Sequence, residues 1–99
     1  METVTFHSKY PRDMTFFALK STFEKEIELL SMQLSRLKKE LKKFEQKYGM
    51  VSSEFYQKFE RGELGDRQDF FIWVSDMDIY TKLMNEYKLL KNLASQCKA

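Results

Sequence analysis

The chain has 99 residues, of which 42% are hydrophobic, 15% aromatic and 32% charged. This length predicts a single small domain, and the presence of only three Gly and one Pro argues against disorder over most of it. The formal net charge of +2 is too small to imply a nucleic-acid or membrane partner by itself.

The expected setting is the reducing cytoplasm. Cys97 is the only cysteine, which excludes an intrachain disulfide. The first residues lack the basic and then apolar run of a secretion signal, and the longest uninterrupted apolar stretch, residues 70–74, is too short to cross a bilayer. We therefore expect neither a secretion signal nor a transmembrane helix.

An extended arm is predicted over residues 1–12. Val4, Phe6 and Tyr10 alternate with polar side chains in a segment rich in residues that favour strands. Because the sequence offers no second strand, a strand here would have to pair with its copy in a dimer or with the sheet edge of a partner. The alternative is a flexible terminus. His7, the only histidine, has no companions at metal-ligand spacing and is interpreted as a surface residue.

A long helix is predicted to follow Pro11 and to run to Gly49. Its large apolar side chains recur at alternating spacings of three and four, the repeat of a helix that buries one seam along its length. Asp13 or Thr15 is its expected N-cap, and Gly49 suits a left-handed helix end. The seam residues are Phe23, Ile27, Leu30, Leu34, Leu37, Leu41 and Phe44.

A short middle helix is predicted next, with Ser52 as its N-cap. Phe55 and Phe59 lie four residues apart and share its inner face. Gly62 is expected to end it, and both Gly62 and Gly65 are expected to serve the backbone conformation of a tight corner.

A third helix is predicted from Asp66, its expected N-cap, to a fraying C-terminus. Two long helices joined by a compact corner predict an all-α fold in which residues 13–99 form one antiparallel, coiled-coil-like helical hairpin. Because two helices leave much of each seam in water, we expect two hairpins to form a homodimer. The seam residues of the third helix are Trp73, Met77, Tyr80, Met84 and Tyr87.

The distribution of charge favours the antiparallel direction. Antiparallel packing places the basic end of the first helix beside the acidic start of the third, and the acidic end of the first beside lysines of the third. A parallel zipper of two first helices would instead set Glu40 against Glu45 of the other chain. The acidic residues near the start of the third helix are Asp66, Asp69, Asp76 and Asp78.

No catalytic motif is found in the sequence. There is no glycine-rich phosphate loop, nucleophile elbow, Cys-x-x-Cys or His-Glu-x-x-His, so we expect no enzyme activity, no cofactor and no metal. The basic residues 36–43 offer nucleic-acid contact as an alternative. Leu37 and Leu41 belong to the seam, Glu40 interrupts the charge, and the run has no aromatic residue, so a solvated helix face is the favoured interpretation.

Four segments of distinctive order begin at the end of the long helix: KYGM at 47–50, SSEFY at 52–56, FERGELGD at 59–66 and DFFIW at 69–73. They resemble small bacterial and archaeal proteins with a KYGM-SSEEFY-GELGD-DFFEW pattern, which look like antitoxin components of two-gene toxin–antitoxin systems. The chain departs from the pattern at Val51, Ser53 and Ile72, and Ile72 adds either core or an apolar contact.

An antitoxin acts by covering its toxin, so the resemblance implies a protein that neutralises a toxin encoded nearby by direct contact, as a homodimer. An acidic corner flanked by aromatic residues would suit a basic surface, and the arm would suit a sheet edge. The alternatives are helix caps and packing for the corner, and an adaptor coiled coil or a small nucleic-acid-binding regulator for the whole chain. The candidate partner-binding residues are Val4, Phe6, Tyr10, Glu60, Glu63, Asp66, Asp69 and Phe71.

Overall fold

The computed structural model describes residues 7–97, and three helices lie in that range. Helix α1 spans Arg12–Tyr48, α2 spans Ser52–Glu60 and α3 spans Gln68–Gln96. The end of α1 meets the start of α3, since the rings of Tyr48 and Phe70 lie 5.1 Å apart. The predicted all-α antiparallel hairpin with a short middle helix is therefore confirmed.

The molecule is a thin rod with little interior. It measures 59 × 24 × 17 Å, and its radius of gyration of 19.0 Å exceeds the ~13 Å expected of a compact domain of this length. Most apolar side chains are therefore covered on one side only. The buried residues are Leu30, Leu34, Phe55, Phe70, Trp73 and Cys97.

Helices α1 and α3 contact each other, and the predicted seam positions are the less exposed positions of both helices. Leu30, Leu34 and Trp73 are buried, and the other predicted seam positions are half-buried. Three of the half-buried residues, Leu41, Phe44 and Met77, pack against the buried aromatic cluster at the corner. The half-buried positions farther from the corner are Phe23, Ile27, Leu37, Tyr80, Met84 and Tyr87.

The described part of the predicted arm is irregular. Residues 7–11 contain neither strand nor helix, and Tyr10 is 69% exposed. The Tyr10 N–H donates to Ser8 Oγ at 3.2 Å, which is a local turn contact. Val4 and Phe6 lie outside the described residues, so the strand pairing of the arm stays a prediction.

The predicted N-cap of α1 is wrong. Pro11 occupies the cap position with a ψ of 144°, and no side chain caps the helix there. The Asp13 carboxylate accepts a hydrogen bond from the adjacent Met14 N–H at 2.9 Å, and the Thr15 hydroxyl donates to Ser8 Oγ at 3.0 Å. Proline starts the helix instead because its φ, here −52°, already suits the entry to a helix.

The predicted N-caps of α2 and α3 are also wrong, and in both cases the cap is the residue next to the one predicted. Val51 precedes α2, and Ser52 is its first helical residue. Arg67, with extended backbone at ψ 143°, precedes α3 in place of Asp66. The backbone N–H and the hydroxyl of Ser52 form hydrogen bonds with α1 and α3, so tertiary contacts replace the local cap.

Two glycines at the helix ends have left-handed backbone. Gly49 has φ 68° and its N–H donates to the Glu45 carbonyl oxygen at 2.9 Å, while Gly62 has φ 71° after α2. Gly65 does not have a positive φ, and a Cβ there would meet nothing within 4 Å. The expected conformational role is therefore right for Gly62 and wrong for Gly65.

Gly62→Ala should lower the free energy of unfolding by ~1 kcal/mol or more, because an L side chain is strained at this backbone conformation. Gly65→Ala is the matched control and should leave stability unchanged or raise it by up to ~1 kcal/mol, since alanine restricts the unfolded chain. Urea unfolding at equal protein concentration measures both. Equal losses for the two variants would contradict the assigned backbone conformations.

Candidate functional site

An aromatic cluster at the corner joins all three helices. The indole of Trp73 in α3 is fully buried and stacks on Phe55 of α2, with ring centroids 3.8 Å apart and planes 3° apart. From α1, Phe44 and Tyr48 also stack on Trp73, at 5.5 and 5.8 Å. Trp73 is thus the central contact that fixes the corner.

Hydrogen bonds tie the same three helices together around Ser52. The Trp73 indole N–H donates to Ser52 Oγ at 2.9 Å, and the Ser52 backbone N–H donates to Glu45 Oε2 at 2.8 Å. Ser52 therefore accepts from α3 and donates to α1 while lying in α2. These contacts could not be predicted from local sequence patterns, because the partners are 7 and 21 residues away from Ser52.

Asp69 is held by two groups from the end of α1. Lys47 Nζ lies 2.7 Å from Asp69 Oδ2, and the Tyr48 hydroxyl donates to the same oxygen at 2.6 Å. The hydrogen bonds from Lys47 and Tyr48 lower the pKa of Asp69, and the hydrogen bond to Asp69 raises the pKa of Lys47. This predicted partner-binding carboxylate thus already has partners within the chain.

Asp69→Asn should lower the free energy of unfolding at pH 7 and make it less sensitive to acid. A carboxylate with a depressed pKa in the folded state stabilises the fold above its ordinary pKa of 3.8, and that contribution is lost as the pH falls through the lower folded value. Urea midpoints measured from pH 6 to pH 2.5 would show this difference in slope. The control is Glu63→Gln, at an exposed ion pair of the same corner. Identical pH profiles for wild type and Asp69→Asn would contradict the assigned role.

The other predicted corner carboxylates are exposed, but cations of the chain lie among them. Glu63 pairs with Arg61 at 3.2 Å. The Tyr56 hydroxyl lies beside the Glu60 carboxylate, and the interaction with that carboxylate raises the pKa of the phenol. Within residues 7–97, neither Glu60 nor Asp66 forms an ion pair. These two carboxylates are therefore the ones at the corner most open to a partner's cations.

Large apolar side chains lie on the surface next to this corner. Phe71 is 53% exposed although its ring meets the edge of Phe59 at 5.7 Å, and Ile72 is 43% exposed. Ile72, where the pattern that the sequence resembles has an acidic residue, is thus an exposed apolar side chain rather than part of the core. Aromatic and aliphatic groups beside carboxylates form a surface typical of protein recognition.

The predicted pairing of opposite charges between α1 and α3 is found at one pair of residues and is absent at another. Lys47 and Asp69 meet as expected. Asp76, however, lies near Glu40 of α1, and burial together with the Glu40 charge raises the pKa of Asp76. The seam fixes how each helix is rotated about its own axis, and this rotation decides which charged side chains become neighbours.

No metal cluster or membrane span is found in the part of the chain that the structure describes. Within residues 7–97, no three His, Cys, Asp or Glu side chains are grouped so that they could hold a metal ion. None of the helices described there combines the length and the apolar character of a transmembrane segment. Comparison with known proteins finds no matching family model, curated protein or solved structure.

Proposed function

We propose that this chain is a protein-binding, antitoxin-like component that neutralises a cognate toxin by direct contact and acts as a homodimer. The observation that carries the proposal is the exposed apolar and acidic surface at a rigid corner. Phe71 and Ile72 lie there, together with Glu60 and Asp66, on a frame fixed by Trp73. Such a surface complements a basic surface of the kind that handles RNA.

The pattern that the sequence resembles contains two kinds of residue: those of the aromatic cluster, which form the frame of the corner, and exposed residues, which form the proposed binding surface. Tyr48, Phe55, Phe70 and Trp73 form the aromatic cluster, so these positions maintain the fold. The exposed positions between and beside them are free to vary with the partner. In this proposal the resemblance reflects a shared frame, and the identity of the toxin is set by residues such as Ile72.

The experiment is co-expression with the product of the neighbouring gene. The chain should relieve the growth arrest caused by that product and should co-purify with it. Failure of both would make the antitoxin proposal wrong, and co-purification without relief of growth arrest would indicate an adaptor instead. Salt-dependent binding to duplex DNA by the purified chain would instead favour a nucleic-acid-binding regulator.

Charge-reversal variants at the corner test whether the partner binds there. Glu60→Lys combined with Asp66→Lys should weaken binding at least ~10-fold, because both carboxylates are exposed and a basic partner would then face like charge. The matched control, Glu24→Lys combined with Glu28→Lys, reverses two exposed carboxylates in the opposite half of α1 and should bind normally. Equal binding by both double variants would exclude the corner as the contact surface.

A further inference from the structure

Two carboxylates interrupt the pairing of opposite charges along the contact between α1 and α3. At the corner, Lys47 of α1 pairs with Asp69 of α3 at 2.7 Å. Glu40 lies one heptad before Lys47 on α1, and Asp76 lies one heptad after Asp69 on α3. When two antiparallel helices share a heptad seam, a pair that recurs after one heptad on each helix lies on the same side of that seam. Glu40 and Asp76 therefore occupy the position of the next salt bridge, with like charges.

A ring contact of the aromatic cluster gives the same register. Phe44 stacks on Trp73 with ring centroids 5.5 Å apart, so these two residues lie at one level of the hairpin. Glu40 precedes Phe44 by about one turn, and Asp76 follows Trp73 by about one turn. Because the two helices run in opposite directions, both steps lead the same way along the rod. The two carboxylates therefore meet next to the aromatic cluster, toward the free ends of α1 and α3.

Both side chains of this pair are partly withdrawn from water. Glu40 and Asp76 are half-buried, whereas Asp78, on the same helix as Asp76, is exposed. Burial, and then the negative charge of Glu40, raise the pKa of Asp76. Burial disfavours the charged form of a carboxylate, and a second carboxylate nearby disfavours it further. At neutral pH the ionised pair therefore opposes the packing that the apolar seam favours.

No cation of residues 7–97 forms an ion pair with Asp76. Helix α3 has no basic residue within one turn of Asp76 on either side. Lys43 contacts Glu40 at 3.4 Å, but its side chain is 74% exposed, so water screens that pair. The titratable and charged residues on the three helices next to this position are Arg36, Glu40 and Lys43 of α1, Tyr56 of α2, and Asp78 and Tyr80 of α3.

We propose that Glu40 and Asp76 form a proton-sensitive contact in the seam, which loosens the packing of α1 on α3 at neutral pH and tightens it when the pair takes up one proton from solvent. The protonated carboxyl no longer repels its neighbour and can donate a hydrogen bond to the remaining carboxylate. In a rod with so little interior, one contact beside the aromatic cluster is a substantial part of what holds the two helices together. This inference depends on the hairpin alone, and on neither the toxin nor the homodimer of the proposed function.

The effect of pH at Asp76 has the opposite sign to the effect at Asp69. Because the pKa of Asp76 is raised in the folded chain, its protonation stabilises the fold fully below pH 3.8, and this stabilisation is lost as the pH rises through the higher folded value. Asp69 stabilises the fold above pH 3.8 and loses that contribution at lower pH. Mild acidification therefore strengthens the seam before stronger acid weakens the corner.

Urea unfolding of Asp76→Asn between pH 7 and pH 3 tests the contact. The variant should raise the urea midpoint by ~0.2–0.5 M at pH 7, because an amide replaces one charge of the pair, and this gain should disappear below pH 3.8. The gain should be smaller in a Glu40→Gln background. Asp78→Asn is the matched control at an exposed position of the same helix and should not raise the midpoint. Equal midpoint shifts for Asp76→Asn and Asp78→Asn, or a lower midpoint for Asp76→Asn at pH 7, would overturn the proposal.

A titration of the Asp76 carboxyl carbon by NMR tests the pair without unfolding the chain. In wild type this carboxyl should titrate above pH 3.8. Glu40→Lys places a cation opposite Asp76, in the arrangement of the Lys47–Asp69 pair one heptad away, so the carboxyl should then titrate at a lower pH than in wild type. Titration of Asp76 at the same pH in wild type and Glu40→Lys, or at or below pH 3.8 in wild type, would overturn the proposal.

Discussion

Replacing Trp73 with alanine is expected to lower the free energy of unfolding by ~3–5 kcal/mol, the usual cost of truncating a buried tryptophan. The side chain is fully buried and stacks on Phe55 at 3.8 Å, so its removal leaves a cavity where three helices meet. In a chain with so little interior, this loss should unfold a large fraction of the molecules at 37 °C. Urea unfolding at fixed protein concentration measures it.

Phe71→Ala is the control for this variant, since Phe71 is a neighbouring aromatic residue that is 53% exposed. It should cost less than ~1 kcal/mol. Trp73→Phe should fall between the two, because it keeps an aromatic ring but loses the hydrogen bond to Ser52 Oγ. A small effect of Trp73→Ala, equal to that of Phe71→Ala, would contradict the central role of the cluster.

Leu30→Ala is expected to cost ~2–5 kcal/mol, because Leu30 is 1% exposed and lies in the seam far from the aromatic corner. The result measures how much the seam contributes to the free energy of unfolding in the part of the hairpin away from the aromatic cluster. Its matched control is the adjacent residue, since Leu29 is 48% exposed. Leu29→Ala should change the free energy of unfolding by less than ~0.5 kcal/mol. Similar losses for the two leucines would contradict the assigned helix phase.

The seam could be predicted from the sequence because helix period and side-chain size are local properties. Leu30 and Leu34 recur with the spacing that a helix needs to bury one face, and both are buried. Gly49 and Gly62 could be recognised as helix ends for the same reason, and both have a positive φ. These features follow from a few neighbouring residues.

The corner could not be predicted in the same detail because its contacts are distant in sequence. Ser52 matches the local pattern of an N-cap, but Trp73, 21 residues away, uses its hydroxyl. Asp69 matches the pattern of a favourable first-turn charge, and it has that place in α3 as well as two bonds to α1. Charge sorting along the helices predicted the Lys47 pair, but it did not predict that Asp76 would lie near Glu40.

The separation of the candidate site into frame and surface also required the structure. Sequence alone grouped Asp69 with Glu60 and Asp66 as one acidic corner. The structure gives Asp69 two partners from α1 and leaves Glu60 and Asp66 exposed without an ion pair among the described residues. A designed test of partner binding should therefore change Glu60 and Asp66 and leave Asp69 intact.

The antiparallel hairpin itself is tested most directly by a distance between spin labels at positions 25 and 92, in a Cys97→Ser background diluted with unlabelled protein. Both positions are exposed and lie in the halves of α1 and α3 away from the corner. Packed helices have axes ~8–10 Å apart, so the labels should be less than ~30 Å apart once their linkers are included. A separation of ~60 Å or more, as expected if α3 continued away from α1, would contradict the account.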